Sequence, residues 1–375
     1  MSDEIVIHGR CPEAFAPVME VFRGAFLADE ELGARFSATL DGELVLDLWA
    51  GWADRARTRP FEVRTLTPVF STTKAVAALM VARLVDQGRL SYEQRVAEIW
   101  PAFGAAGKDR VTVGQALSHQ AGVPGFLEPI DPETWFHWDA LCARLAALTP
   151  LWPPGTASGY HAITFGYIAG EIFRLVDGRT LGTALREDLA RPLGLDLWIG
   201  LPESEDDRVA EMDRPKTLPV LGPLNDAKRA AFLGRGAAPR GSTEWRRVEI
   251  PSANGHATAP ALARLMGALA HGGELDGVKV LSPATIEQAS RERIAGLDLV
   301  MPYEMSWAAG FMRNTAHPLY GPGRMSFGHS GWGGSCAFAD PERGLGCAYV
   351  MTRQSALLLD DPRPRRLIEA LYGCL

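Results

Sequence analysis

Apolar positions along the chain follow two spacings, and their order predicts an architecture. Residues 12–31 repeat at helical intervals through Phe15, Val18, Met19, Phe22, Phe26 and Leu27, behind Pro12. Two alternating runs, 34–40 and 43–51, then flank Asp41-Gly42, residue types that tolerate the left-handed backbone of a tight hairpin turn. From about Ser71 to about 235 the period lengthens, predicting helices over 71–87, 113–118, 133–147, 162–177 and 181–191. A stretch rich in Gly, Pro and Arg near 233–241 precedes a helix over 257–271, which runs into Gly272-Gly273. Strand-like alternation returns over 304–313, 325–329, 333–339 and 345–352, with a turn at 340–344. A last helix spans roughly 363–373.

Strands near both ends and helices between them predict an α+β protein of α/β sandwich type. An antiparallel sheet is drawn from both ends of the chain and flanked by the first and last helices. Residues 1–70 and 236–375 would form this sheet-containing part, and 71–235 a mostly helical part. The active site is expected in the cleft between them.

Composition narrows the function without naming it. Apolar residues make up 47% of the 375 and charged residues 22%, the balance of a globular chain rather than a disordered one. The formal charge of −7 gives no electrostatic footprint for nucleic acid or an anionic membrane. Five cysteines without a CxxC pair, and histidines without ligand spacing, predict no disulfide framework, no metal and no cofactor. The first residues are acidic and lack a long apolar run, so no signal peptide is read there, and a cytoplasmic location is expected.

Three segments carry candidate chemistry. Lys74 is the only charged residue between Arg64 and Arg83, on a helix that is apolar nearly all round. Such a helix is buried, and a buried ammonium must find a partner or give up its proton. Ser71 lies one helical turn earlier on the same face, where the helix start favours developing negative charge. That pairing describes an activated nucleophile. SxxK by itself is a weak signal, because Ser71 reads equally as a helix cap and Lys74 as a lysine reaching the surface. Tyr160 follows Pro154-Gly155-Thr156 on a Gly-rich loop just before a helix. A phenol beside a cationic amine can have its pKa lowered and serve as acid or base, whereas a lone loop tyrosine is more often surface packing. His329-Ser330-Gly331-Trp332 ends a strand, where small residues let a substrate approach the backbone.

Taken together, Ser71-Thr-Thr-Lys74, Tyr160 after Pro-Gly-Thr, and His329-Ser330-Gly331 resemble the penicillin-recognising serine hydrolases. That superfamily groups class C β-lactamases, D-alanyl-D-alanine peptidases and family VIII carboxylesterases. Gly88-Arg-Leu-Ser-Tyr92, Leu117-Ser-His-Gln-Ala-Gly-Val-Pro124 and the His-Gly-Gly end of the 257–271 helix extend the likeness from about residue 10 onward. The resemblance implies a class C β-lactamase-like fold. It implies Ser71 as nucleophile, Lys74 as proton acceptor or relay, and Tyr160 as partner base and later acid. The backbone N–H groups of Ser71 and Trp332 would form the oxyanion hole, and residues His329, Ser330, Gly331 and Trp332 would line the substrate.

Two departures shape the expected reaction. The lactamase pattern Tyr-x-Asn is here Tyr160-His161-Ala162, and the Lys of Lys-Thr-Gly is here His329. Both losses weaken recognition of a β-lactam more than of a neutral ester. A hydrolase of short-chain carboxylic esters is therefore expected, with a small-molecule partner, no nucleic acid and no membrane. A β-lactamase or D-alanyl peptidase, an acyltransferase, and a non-catalytic scaffold are the alternatives. Ser330 lies in a near-match to GxSxG, but Trp332 occupies the final glycine position, so Ser330 is not expected to be the nucleophile. His119 reads as a structural histidine. The aromatic run 135–138 reads equally as a pocket wall and as plain packing.

Overall fold

The structure, a computed structural model, describes residues 5–233 and 240–375. The expected boundary at 235/236, most of the Gly-, Pro- and Arg-rich stretch and residues 1–4 lie outside the described residues.

Nine strands form one antiparallel sheet in the order His8–Arg10, Glu43–Gly51, Gly33–Leu40, Leu345–Met351, Cys336–Asp340, Phe327–Ser330, Met312–Arg313, Glu304–Trp307, Ile294–Leu297. The sheet is thus drawn from both ends of the chain. Its seam pairs Leu345–Met351 with Gly33–Leu40, placing Cys347 opposite Ala38. At the predicted hairpin both Asp41 (φ 50°) and Gly42 (φ 86°) adopt left-handed backbone, as a two-residue turn between twisted strands requires.

Alternation along the strands sorts side chains to two buried faces. Phe36, Phe338, Cys347 and Tyr349 face the first and last helices, Ala16–Leu27 and Pro362–Tyr372, through Phe22, Leu367 and Leu371. Ala337, Ala348 and Val350 face the opposite way, onto helix Ala259–Ala270. Helix Thr73–Asp86 lies deeper, buried along almost its whole length, and packs on helix Thr164–Asp177. No helix among the described residues is long and apolar enough to cross a membrane.

Several elements differ from the sequence expectation for local reasons. The expected strand 304–313 is broken into Glu304–Trp307 and Met312–Arg313 by a turn in which Ala308 N–H donates to the Phe311 carbonyl. The expected helix 133–147 is split into a 3₁₀ turn, Pro132–Phe136, and a helix, Trp138–Ala147. Helix Pro283–Ser290 and the largely exposed strand Ile294–Leu297 carry too little apolar periodicity to be predicted. A small sheet was also missed: Thr67–Phe70 and Leu197–Trp198 each pair with Gly255–Ala257. That sheet matters most for the site, because it ties the start of the Thr73–Asp86 helix to a segment some 180 residues later.

Candidate active site

Ser71 and Thr72 connect the strand Thr67–Phe70 to the helix Thr73–Asp86. The turn is tight, and Phe70 takes a left-handed backbone (φ 47°). Such a conformation costs a non-glycine residue about 1 kcal/mol or more, so its surroundings must hold it. Thr72 N–H donates to the Val69 carbonyl at 3.1 Å and Lys74 N–H to that of Ser71 at 3.0 Å. Thr73 Oγ1 donates to the Phe70 carbonyl and accepts from Gly255 N–H at 2.8 Å. The turn sets Ser71 in the wall of a cavity.

Lys74 is fully buried. Its Nζ lies 3.1 Å from Ser71 Oγ, 2.7 Å from the Ala162 carbonyl and 2.9 Å from the Ser252 carbonyl. Burial with no balancing carboxylate holds its pKa well below the ordinary lysine range. The two carbonyls can only accept and take two of its N–H groups; once the amine gives up a proton, its lone pair is left for the Ser71 hydroxyl.

Tyr160 OH donates to Ser71 Oγ at 2.7 Å. Its ring stacks parallel to Trp307, with centroids 5.7 Å apart, and lies 4.7 Å from Lys74 Nζ. The lowered phenol pKa considered from the sequence is not found. Burial pushes the Tyr160 pKa up, and the nearby Asp298 charge adds to the rise. With the amine neutral, no cation pulls the phenol down. The phenol stays protonated, and the lysine is the group that gives up a proton.

Asp298 is buried and was missed by sequence reasoning. Its Oδ1 accepts the N–H groups of Tyr160, Val300 and Met301, each at 2.9 Å. Its Oδ2 accepts Trp307 Nε1–H at 3.1 Å. One carboxylate thus fixes both the Tyr160 backbone and the ring on which Tyr160 stacks. An isolated aspartate in Gly-Leu-Asp-Leu-Val offers no signal for this.

Three buried histidines surround the amine and the phenol. His161 Nδ1 bonds the Gly159 carbonyl at 2.7 Å and Nε2 accepts Val123 N–H at 3.1 Å, which defines a neutral ring. Burial pushes its pKa down to about 4. His119 accepts His161 N–H on Nδ1 at 3.1 Å and packs against Trp307. His329 directs Nδ1 at the Ser330 carbonyl, 2.8 Å away. Burial lowers both pKa values well below the usual range. His329 therefore differs from its expected role. Its side chain is fully buried behind Tyr160 and does not line the cavity, whereas its neighbours Ser330 and Trp332 do.

Gly331 explains how Trp332 reaches the Ser71 turn. A Cβ at 331 would stand 2.4 Å from the Val69 carbonyl and 2.3 Å from Ser335 Oγ, so only glycine lets the two segments meet. Ser335 Oγ clips them together, donating to the Val69 carbonyl at 2.8 Å and lying 3.1 Å from Thr72 Oγ1. Among the described residues, no acceptor engages the backbone N–H of Ser71 or of Trp332. Among the described residues, Ser330 Oγ meets only Tyr320 OH, at 3.1 Å, and no base reaches it.

The cavity in front of Ser71 has a volume of about 280 Å³. Its walls are mainly apolar, with Phe126, Ile130, Trp135, Met301 and Leu359 among them. Of the aromatic run 135–138, Trp135 is thus a pocket wall, while Trp138 donates to Glu171 at 2.7 Å. The arrangement brings a buried amine and a phenol onto Ser71 Oγ at the wall of a cavity, a set of groups able to move a proton to and from that oxygen.

Residues 19–372 match the Beta-lactamase family model. Esterase/beta-lactamase LipL of Mycobacterium tuberculosis is 37% identical over 373 residues, covering 95% of this chain and 85% of that protein. A novel penicillin-binding protein homolog from Caulobacter crescentus superposes with a TM-score of 0.97 at 63% identity, covering 99% of this chain and 100% of that one. A family VIII carboxylesterase superposes with a TM-score of 0.94 at 44% identity, again covering 99% and 100%.

Proposed function

The chain belongs to the beta-lactamase family and is a serine hydrolase of that superfamily, and we propose that it is a carboxylesterase acting on small neutral esters through an acyl-enzyme on Ser71. The observation that carries the reading is the convergence of Lys74 Nζ and Tyr160 OH on Ser71 Oγ.

In this mechanism the Lys74 lone pair takes the Ser71 proton as Oγ attacks the ester carbonyl. The tetrahedral oxyanion receives the N–H groups of Ser71 and Trp332, a donor pair worth several kcal/mol in such a transition state. Tyr160 protonates the departing alcohol and regains a proton from Lys74. Water then attacks the acyl group and gives its proton to Lys74, Tyr160 protonates Ser71 Oγ as it leaves, and Lys74 returns a proton to Tyr160. Each of these groups is buried or sheltered, so charge forms where few waters compete for it.

Ester is favoured over β-lactam by two positions. Ala162 has no amide to hold a lactam side chain. His329 is neutral and lies behind the site, so it cannot meet a carboxylate as a lysine would. Each charge-assisted bond lost costs on the order of 1.5–3 kcal/mol, so kcat/KM for a short p-nitrophenyl ester should exceed that for a chromogenic cephalosporin by at least about a hundredfold. Mass spectrometry after treatment with a fluorophosphonate tests the nucleophile. One adduct on Ser71 is expected, and an adduct on Ser330 overturns the assignment.

A further inference from the structure

A second cavity, of about 370 Å³, shares part of its wall with the first. Phe70 and Trp332, with centroids 6.3 Å apart, line both cavities, as do Trp245 and Arg240. The two spaces differ in chemistry. The first is mainly apolar, whereas the second is lined by four arginines, Arg55, Arg214, Arg240 and Arg246, against one carboxylate, Glu211.

Two of those arginines are already neutralised. Arg55 lies 3.4 Å from Asp213, and Arg246 lies 3.4 Å from Asp206. Among the described residues, Arg214 and Arg240 have no carboxylate partner. Arg214 donates to the Arg240 carbonyl, and the Arg240 guanidinium lies 4.4 Å from the centre of the Trp332 ring. Donors without acceptors add to this surplus. Among the described residues, Trp332 Nε1 and Arg246 Nε are both buried with no hydrogen-bond partner. A space with unpaired guanidinium groups and unpaired N–H donors selects for a planar anion that accepts several bonds at once.

We propose that this cavity is a carboxylate subsite, binding an anionic group on the half of the ester that does not enter the apolar cavity. The proposal rests on the esterase reading of Ser71. It supplies from Arg214 and Arg240 a cationic contact that His329 does not make. Trp332 links the two, since it lines the cavity in front of Ser71 while its ring stacks under Arg240.

Two matched substrate pairs test the idea. One pair places the carboxylate on the acyl half: the p-nitrophenyl half-ester of glutaric acid beside p-nitrophenyl butyrate. The other places it on the alcohol half: 3-acetoxybenzoate beside phenyl acetate. In at least one pair the carboxylate should raise kcat/KM by about tenfold, and that preference should weaken at 0.5 M salt. Arg214→Ala should abolish the preference while leaving turnover of the neutral ester within about twofold, and Arg214→Lys should restore part of it. Arg240→Ala should lower the charged-to-neutral ratio in the same pair. Equal kcat/KM within both pairs, or equal losses on charged and neutral esters, overturns the subsite. Inorganic phosphate should compete with the carboxylate ester. If phosphate instead changes neutral-ester turnover through Arg214 while neither carboxylate ester is preferred, the cavity is a free-anion site and the proposal fails. Neutral-ester hydrolysis that depends on Ser71 remains in any of these cases, so loss of the subsite is distinct from loss of the esterase reading.

Discussion

Lys74 and Arg363 are both basic side chains buried inside this protein, yet their surroundings drive them to opposite charge states. Arg363 sits between two carboxylates, with Nη2 at 2.7 Å from Asp361 and Nη1 at 3.0 Å from Glu31. It also donates to the Gly333 carbonyl at 2.8 Å, so it braces the turn that follows Trp332. These negative neighbours raise its already high pKa despite burial, and it remains a cation. Burial pushes Glu31 up to about 7, with the Arg363 charge offsetting part of that rise. Lys74 has carbonyls and a hydroxyl around it but, among the described residues, no carboxylate partner, and burial pushes its pKa well below the ordinary lysine range. A buried base with counter-ions becomes a structural clamp, and one without them becomes a proton acceptor.

The sharpest way to break this contrast is to make residue 74 a permanent cation. Lys74→Arg cannot offer a lone pair, so kcat/KM toward a p-nitrophenyl ester should fall by roughly ten-thousandfold, while thermal unfolding stays cooperative. A variant that keeps a tenth of the activity would show that residue 74 need not be neutral. Tyr160→Phe keeps the stack on Trp307 and removes only the proton donor. Steady-state kinetics should show kcat reduced by roughly a thousandfold with little change in KM, and a loss under about twofold would remove the phenol from the mechanism.

Arg363→Met tests the other side. It leaves Glu31 and Asp361 buried without their cation, which should cost about 3–5 kcal/mol in denaturant unfolding. A change below about 1 kcal/mol would mean that the carboxylates find other partners.

The pH dependence separates the two sites further. The folded-state pKa of Lys74 is depressed below its unfolded value of about 10.4, so the unfolded chain binds the extra proton. The group's contribution to stability therefore rises with pH up to the unfolded value. Relative to Lys74→Met, wild type should lose stability as pH falls below the unfolded value, by up to about 1.4 kcal/mol per pH unit as long as the folded amine stays unprotonated. Paired melts across that range would reveal a flat difference if the amine is charged in the fold.

The smallest expected effect concerns Asp298. Asp298→Asn turns an N–H toward Trp307 Nε1–H and loosens the Tyr160 stack. A roughly tenfold fall in kcat with KM nearly constant is expected, because the phenol is misplaced rather than lost. An unchanged kcat would reduce Asp298 to a loop anchor.

Much of this was legible in the sequence. The hairpin at Asp41-Gly42, the sheet drawn from both ends of the chain and the apolar helix around Lys74 all follow from local spacing. Ser71 and Lys74 stood out as candidates because an uncharged helix containing one lysine is a local anomaly, whereas Tyr160 gained its catalytic role only through the resemblance to a known family. The Asp298 bonds were not legible, since an aspartate in a loop looks the same whether it meets water or four N–H donors. Nor was the burial of His329, because a strand's alternation does not say which face looks into the cavity.

The sequence by itself determined which residues were available and which short segments would be helix, strand or turn, because those preferences act within a few residues. It also placed Ser71 three residues before Lys74, a spacing that lets the turn at the helix start bring the two side chains together. Only the tertiary structure decided the chemistry of that pair. The Ala162 and Ser252 carbonyls that receive the amine lie 88 and 178 residues away from it. Their approach removes water from Lys74, and with no carboxylate partner among the described residues its pKa is pushed well below the ordinary lysine range. Desolvation depends on everything packed around a group, and no local pattern encodes it.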